Sequence, residues 1–376
     1  MSKHYGLYIH IPLCKSKCRY CDFYKVTPKQ WIGTDLFLDA LEKEFKGFPN
    51  NFSPVSIFIG GGTPSALSSK EFFKLLKLIH KYVNLDNIIE WTCEANPSSL
   101  DSEKMNLMHR MGINRLSIGV QSFNDKSLKL LGRNHDSEKA IHKINEARSI
   151  GFDKLNIDLI QSIPGMSDKE IEEDLECIKK ILPDHISYYN LIYEKGTPLT
   201  HDKDNGKLKL FTDEKESDIY FYIKEYLSDI GYRQYEISNY SLNNNKSLHN
   251  LLYWKGDEYI GCGPSAHSHW NGERYSNVNN LSKYYEKLMN DESIIEIKER
   301  LPSYSKAKET FVMWLRLNEG VNILDFEEKV NVKLKNLYTN EIDELIDKNF
   351  LIKQFGNIKI PDNKKFLSDY VFSELI

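Results

Sequence analysis

The sequence predicts an α/β fold in which a parallel sheet is wrapped by helices and followed by a small helical domain. Short apolar, β-branched runs alternate about six times with helix-period segments across the first 200 residues. Polar, motif-like residues stand just after those runs, as they do at the C-terminal mouth of a barrel or open barrel. Beyond Pro302 the pattern turns to helices around one β-like stretch. The fold class is therefore a partial (β/α)6-type TIM-like barrel with a small C-terminal winged-helix-like helical domain, divided as 1–300 and 301–376 with a linker near Pro302.

The first run, YGLYIHI at 5–11, reads as a strand entering Pro12, and VSIFI at 55–59 as a second strand ending in Gly60-Gly61-Gly62. Between them Leu36, Leu38, Leu41, Phe45 and Phe48 recur at near-helical spacing. A helix over 68–84, a strand at 88–94, a helix over 101–111, a strand at 115–120 and helices to about 150 follow. KLNIDLI at 154–160, a helix over 168–182 and HISYYNLI at 185–192 complete the alternation. A helix over 213–230, an Asn- and Ser-rich loop at 238–247 and HNLLYW come next. The tail reads as helix, short helix, a helix over 334–348, the β-like NFLIKQFGNIKIP and a last helix.

A chain of 376 residues buries a sizeable core without difficulty. With 50 Lys and Arg against 54 Asp and Glu the net charge is -4, which gives no global attraction to nucleic acid or anionic membrane. Residues 302–376 carry 11 basic and 12 acidic side chains, so the tail lacks the basic face of a DNA reader. No nucleic-acid partner is expected, and a cluster-sensing DNA-binding regulator is the weakest functional reading. The apolar runs fall far short of the ~20 residues of a spanning helix, and the N-terminus lacks a signal-peptide core. The protein reads as soluble and cytoplasmic.

Of six cysteines, Cys93, Cys177 and Cys262 are scattered, while Cys14, Cys18 and Cys21 crowd into eight residues. Three thiolates on one loop can surround a metal site within 12–25. Spacing leaves two readings open: a structural zinc with a fourth ligand such as His10, or a 4Fe-4S cluster whose fourth iron stays open to a ligand.

YIHIPLCKSKCRYCDFY, with its CxxxCxxC spacing, resembles the cluster loop of the radical S-adenosylmethionine superfamily. More narrowly the chain is similar to the branch that contains the oxygen-independent coproporphyrinogen III oxidases and related heme chaperones. GGGTPS at 60–65, CEANPSS at 93–99, RLSIGVQSFND at 115–125, GRNHD at 132–136, NIDLI at 156–160 and HNLLYW at 249–254 carry the likeness over nearly the whole chain. The resemblance implies a 4Fe-4S cluster on Cys14, Cys18 and Cys21, with S-adenosyl-L-methionine chelated at the open iron. In that superfamily reduction of the cluster releases a deoxyadenosyl radical from this ligand.

A glycine run after a strand lets a polar ligand approach the backbone, or simply makes a tight turn. Glu94 and Asp158 close apolar strands, which is costly for unpaired carboxylates, although either could cap a following helix. By resemblance Gly61, Gly62, Thr63, Glu94, Gln121, Arg133 and Asp158 contact S-adenosylmethionine, and Tyr8 and Tyr20 flank the cluster pocket. His249, Tyr253 and Trp254 of the HNxxYW segment would hold heme, the imidazole on iron and the rings over the macrocycle. His267 and His269, in GPSAHSHW, offer the same chemistry. At Gln161-Ser162 the branch usually has an aromatic residue and glycine, and a serine there prefers a negative φ.

One position separates the two functions within the branch. The oxidases resemble CxxxCxxCxC, whereas this chain has Cys21-Asp22-Phe23, and Phe23 cannot replace a thiolate. The expectation is a heme chaperone, with heme as cargo. Its implied partners are heme-accepting proteins, some reached by peripheral contact with membrane heme proteins, and an electron donor such as flavodoxin or ferredoxin. The alternative is conversion of coproporphyrinogen III to protoporphyrinogen IX.

Overall fold

In a computed structural model, which describes residues 4–376, six parallel strands lie side by side in chain order. They are β1 (Tyr5–Ile11), β2 (Ser56–Gly61), β3 (Glu90–Ala95), β4 (Arg115–Gln121), β5 (Lys154–Gln161) and β6 (His185–Asn190). Helices return the chain between them, several started by side chains that accept the free N–H groups of the first turn. Ser68 with Glu71 and Ser167 with Glu170 form reciprocal capping boxes.

The sheet extends beyond this centre. β7 (Arg233–Gln234) and β8 (Asn239–Ser241) add antiparallel strands beside β6. On the other side β9 (Glu258–Cys262) runs parallel to β1, followed by antiparallel β10 (His267–Trp270), β11 (Glu273–Asn277) and β12 (Ile295–Glu299). The end strands β12 and β7 are not paired with each other, so the barrel is open. The four strands from 258 to 299 escape the sequence reading because their sides do not alternate cleanly. β12, IEIKE, is exposed at every position. The Asn- and Ser-rich stretch expected to be a loop contains β8, and Pro198–Asp204 forms a helix that was not anticipated.

Period-two alternation sorts the central strands. Leu7, Ile9, Ile57, Ile59, Leu116, Ile118, Leu155, Ile157 and Ile186 are wholly buried in the main hydrophobic core. The alternating set, Tyr8, His10, Ser56, Glu90, Glu94, Ser117, Asn156, Asp158 and His185, fills the other face with polar groups. Burying such groups is tolerable only when they are paired. Asn156 and His185 are joined at 2.6 Å, and His185 meets the Tyr235 hydroxyl at 2.8 Å.

The helix Leu248–Trp254 packs on this polar face near the N-terminal ends of β1 and β2. Gly6 permits the contact, since a Cβ there would stand 3.0 Å from His249. The helix begins on the buried Glu90 carboxylate, which accepts from the amides of Leu248 at 2.9 Å and His249 at 3.0 Å. Ser247 donates to the same group at 3.4 Å.

Buried apolar residues form two separate clusters, one extending to Ile294 and the other beginning at Ala307. The second belongs to a unit of the helix Ser303–Trp314, five shorter helical segments and a three-stranded sheet of β13 (Val321–Asn322), β14 (Ile352–Gln354) and β15 (Asn357–Lys359). The single helix expected over 334–348 is broken into Leu334–Leu337 and Glu341–Asp347, with Tyr338 extended between them and buried.

Replacing Glu90 by Ala strands two buried amides and a hydroxyl. The expected cost is about 3 kcal/mol of barrel stability, read from the urea midpoint; a loss below about 0.5 kcal/mol would show that the helix does not depend on this carboxylate.

Candidate functional site

The loop after β1 is sewn to the end of β2. Gly62 N–H donates to the Ile11 carbonyl and Thr63 N–H to that of Leu13, both at 2.8 Å. Val26 N–H donates to Pro12 at 2.8 Å and Cys14 N–H to Val26 at 2.9 Å. A Cβ on Gly62 would lie 2.7 Å from the Pro12 carbonyl oxygen, so only glycine allows this seam. The amides of Gly62 and Thr63 are thus spent on the loop, and that of Gly61 on Glu94 at 3.1 Å. None of these three amides is free for a ligand; the run positions the cysteines.

Cys14 is buried, its Sγ 3.4 Å from Thr63 Oγ1, and Cys18 Sγ accepts from Arg133 Nη1 at 3.3 Å. Burial, with the nearby Cys21 and Cys18, raises the Cys14 thiol above its ordinary range. Among the described residues no three His, Cys, Asp or Glu side chains converge on a position for a single ion. A cluster that takes one thiolate per iron makes no such demand. His10, the candidate fourth zinc ligand, has no free nitrogen: Nε2–H donates to the Tyr24 carbonyl at 2.9 Å, and Nδ1 accepts from Tyr8 at 3.0 Å. Burial lowers its pKa to about 4, which keeps it neutral.

Beside the thiols lie two buried carboxylates and one guanidinium. Burial, and secondarily the charge of Asp158, raises Glu94 to about 8. Asp158 is also raised by burial, despite hydrogen bonds from Asn156 at 2.7 Å and Ser117 at 3.1 Å. Arg133 donates to the Gly119 carbonyl at 2.6 Å as well as to Cys18, and its Nε is buried without a partner among the described residues. Gln121, at φ 74°, accepts from Tyr189 at 3.0 Å. Tyr20 is raised by burial, against the pull of Arg133. This set offers two buried carboxyl groups, whose ionised forms a cation would stabilise, and one unpartnered donor to a zwitterionic ligand that also carries positive charge on sulfur, so the residues present fit S-adenosylmethionine on a three-cysteine cluster.

Next to the loop a cavity of about 780 Å³ is lined by Tyr8, His10, Cys18, Cys21, Phe23, Tyr253, Tyr259 and His267, among others. His249 is not in its wall. Its Nδ1 is 2.7 Å from Ser56 Oγ and its Nε2 2.8 Å from Tyr253 Oη, and burial lowers its pKa to about 3. Both nitrogens of His249, the expected heme ligand, are hydrogen-bonded in this arrangement. Tyr253 does line the cavity, whereas Trp254 lies behind it, under the Arg316 guanidinium at 4.3 Å.

An open β/α barrel carrying a CxxxCxxC loop at its mouth defines a protein of the radical S-adenosylmethionine class, and residues 8–178 match the Radical SAM superfamily. Residues 302–363 match the HemN C-terminal domain. The heme chaperone HemW of Lactococcus lactis subsp. lactis is 33% identical over 376 residues, 100% of this chain and 98% of the relative. That of Bacillus subtilis is 32% identical, covering 98% of each. The chain belongs to the HemW family. The Escherichia coli coproporphyrinogen III oxidase HemN superposes with a TM-score of 0.85 over 99% of this chain and 90% of its own, at 22% identity, a likeness of fold.

Sequence reasoning overlooked the links from Thr63 to Cys14 and from Arg133 to Cys18. Nothing in the spacing of residues 49 and 115 positions apart signals either. The departure at Ser162 is visible in the structure: φ is 57°, and the hydroxyl is buried with no partner among the described residues. Ser162→Gly is expected to stabilise the chain by about 1 kcal/mol, read as a rise in thermal midpoint; no rise would show that the turn is unstrained.

The sign of the Glu94 effect is definite. Its folded pKa of about 8 exceeds its ordinary 4.5, so its contribution to stability is full below pH 4.5 and is lost as pH rises through 8. Ligand-free wild type should therefore lose stability between pH 6 and 9, by a few kcal/mol at most, relative to Glu94→Gln. Parallel melting profiles for the two chains would refute the assignment.

Proposed function

We propose that this protein is a heme chaperone that carries a 4Fe-4S cluster on Cys14, Cys18 and Cys21, binds S-adenosylmethionine beside it and passes heme to acceptor proteins. The observation that carries the choice within the superfamily is Phe23. It is 70% exposed on the cavity rim, where the oxidases resemble a fourth cysteine. Relatives that match the chain along its whole length are named heme chaperones, which supports the same reading.

When bound, the cluster supplies a one-electron reductant with an open iron for the amino-acid end of the ligand. The chain's own residues do the positioning. Glu94 and Asp158 receive the ligand's positive groups, Arg133 Nε its carboxylate, and Gln121 and Tyr189 hold the floor. His10 stays neutral and fixes the Tyr8 hydroxyl toward the pocket. An electron donor such as flavodoxin or ferredoxin and a heme-accepting protein complete the cycle. No helix among the described residues is long and apolar enough to cross a membrane, and we assign the chain to the cytoplasm.

Anaerobic reconstitution with iron and sulfide should give the broad thiolate-to-iron absorption band of a cluster. The triple Cys14, Cys18, Cys21→Ala variant should lose at least nine-tenths of that band. With coproporphyrinogen III, reductant and S-adenosylmethionine present, no protoporphyrinogen should form, while heme should move from the loaded protein to an acceptor. Product formation would overturn the chaperone reading in favour of the oxidase.

A further inference from the structure

If the chain carries heme, as proposed above, the segment singled out for it has its imidazole committed elsewhere. The remaining histidines can be judged by access. His10 borders the large cavity but has both nitrogens bonded, and His269 uses Nδ1 on the Asp257 carbonyl and lines a separate pocket of about 260 Å³. His267, at the start of β10, is exposed in the wall of the large cavity, and among the described residues its ring has no hydrogen-bond partner.

The rest of that cavity has a consistent character. Lys17, Lys25 and Lys195 line it against a single acid, Asp22. Lys25 is held in place by the carbonyls of Cys21, at 2.6 Å, and Phe23, at 3.0 Å. Aromatic surface comes from Phe23, Tyr24 and Tyr259. The volume of about 780 Å³ falls within the range of pockets for large organic ligands. A flat macrocycle with two carboxylates and an iron needs apolar walls, cations at one edge and one imidazole. Cys18 and Cys21 also line this space, so the cluster takes up part of it, but of the residues expected to hold S-adenosylmethionine only Tyr8 does, and the two ligands need not compete for Glu94, Gln121, Arg133 or Asp158.

We infer that heme docks in this cavity over the cluster loop, with His267 as an axial ligand of its iron, Lys17, Lys25 and Lys195 facing its propionates, and Phe23 against the ring. The step is a ligand exchange: a ring nitrogen of His267 donates its lone pair to ferric iron and water leaves, with no change of oxidation state.

The experiment is titration of the cluster-loaded protein with hemin, followed by electron paramagnetic resonance of the ferric heme. His267→Ala should weaken binding at least tenfold and remove the nitrogen-ligated signature, and added imidazole should restore that signature. Lys17→Glu with Lys195→Glu should weaken hemin binding several-fold but leave binding of hemin dimethyl ester unchanged. An unaltered signature and affinity in a folded His267→Ala protein would overturn this site while leaving the chaperone reading intact. Failure of the wild-type protein to bind hemin would overturn the chaperone reading, and this inference with it.

Discussion

The seam between the end of β2 and the loop after β1 organises the mouth of the barrel. Two backbone hydrogen bonds, from Gly62 to Ile11 and Thr63 to Leu13, hold the loop at a distance that no side chain at residue 62 would permit. Cys14 is thereby set under the Thr63 hydroxyl, and Cys18 and Cys21 face the cavity. A loop of three cysteines is floppy in isolation, and fixing its start is what allows three thiols to present themselves together.

The seam in turn rests on a sheet with an unusual division of labour. Most of its aliphatic side chains face the helices, which leaves the concave side largely to polar groups in a low-dielectric setting. Near the N-terminal ends these groups satisfy one another: Glu90 with the helix Leu248–Trp254, Ser56 with His249, and Asn156 with His185. Toward the C-terminal ends the pairing is less complete. The charge of Asp158 adds to the cost of ionising Glu94, and Arg133 Nε stands unpartnered. A mouth where buried carboxyls repel and a guanidinium nitrogen lacks a partner is the electrostatic form of a binding site, since a complementary ligand recovers what folding gave up. His249 belongs to the satisfied set near the N-terminal ends. The HNxxYW segment drew attention to it, but burial makes it a neutral hydrogen-bonding member of the core.

The parallel half of the fold was legible because each strand from YGLYIHI to HISYYN has a fully buried apolar face, which imprints alternation on the sequence. β9 to β12 were not, since buried and exposed side chains do not alternate cleanly along β9 to β11 and IEIKE is exposed throughout. The break after Leu337 was invisible for the opposite reason. Tyr338 keeps the helical pattern of burial while leaving the helix. At the site, Cys14, Cys18 and Cys21 announced themselves by number and spacing, and Ser162 by departing from a glycine position.

By itself the sequence determined which chemistry is on offer: three clustered thiols, carboxylates at strand ends, Phe23 in place of a further cysteine, and histidines near aromatic rings. Only the tertiary structure decided which of those groups remain available. His10 and His249 are consumed by Tyr24, Tyr8, Ser56 and Tyr253, whereas His267 is left open at the cavity wall. The reason is physical. The identity of a donor or acceptor is written at its own position, but whether it is already spent depends on partners brought from far along the chain, such as Ser56 to His249 across 193 residues.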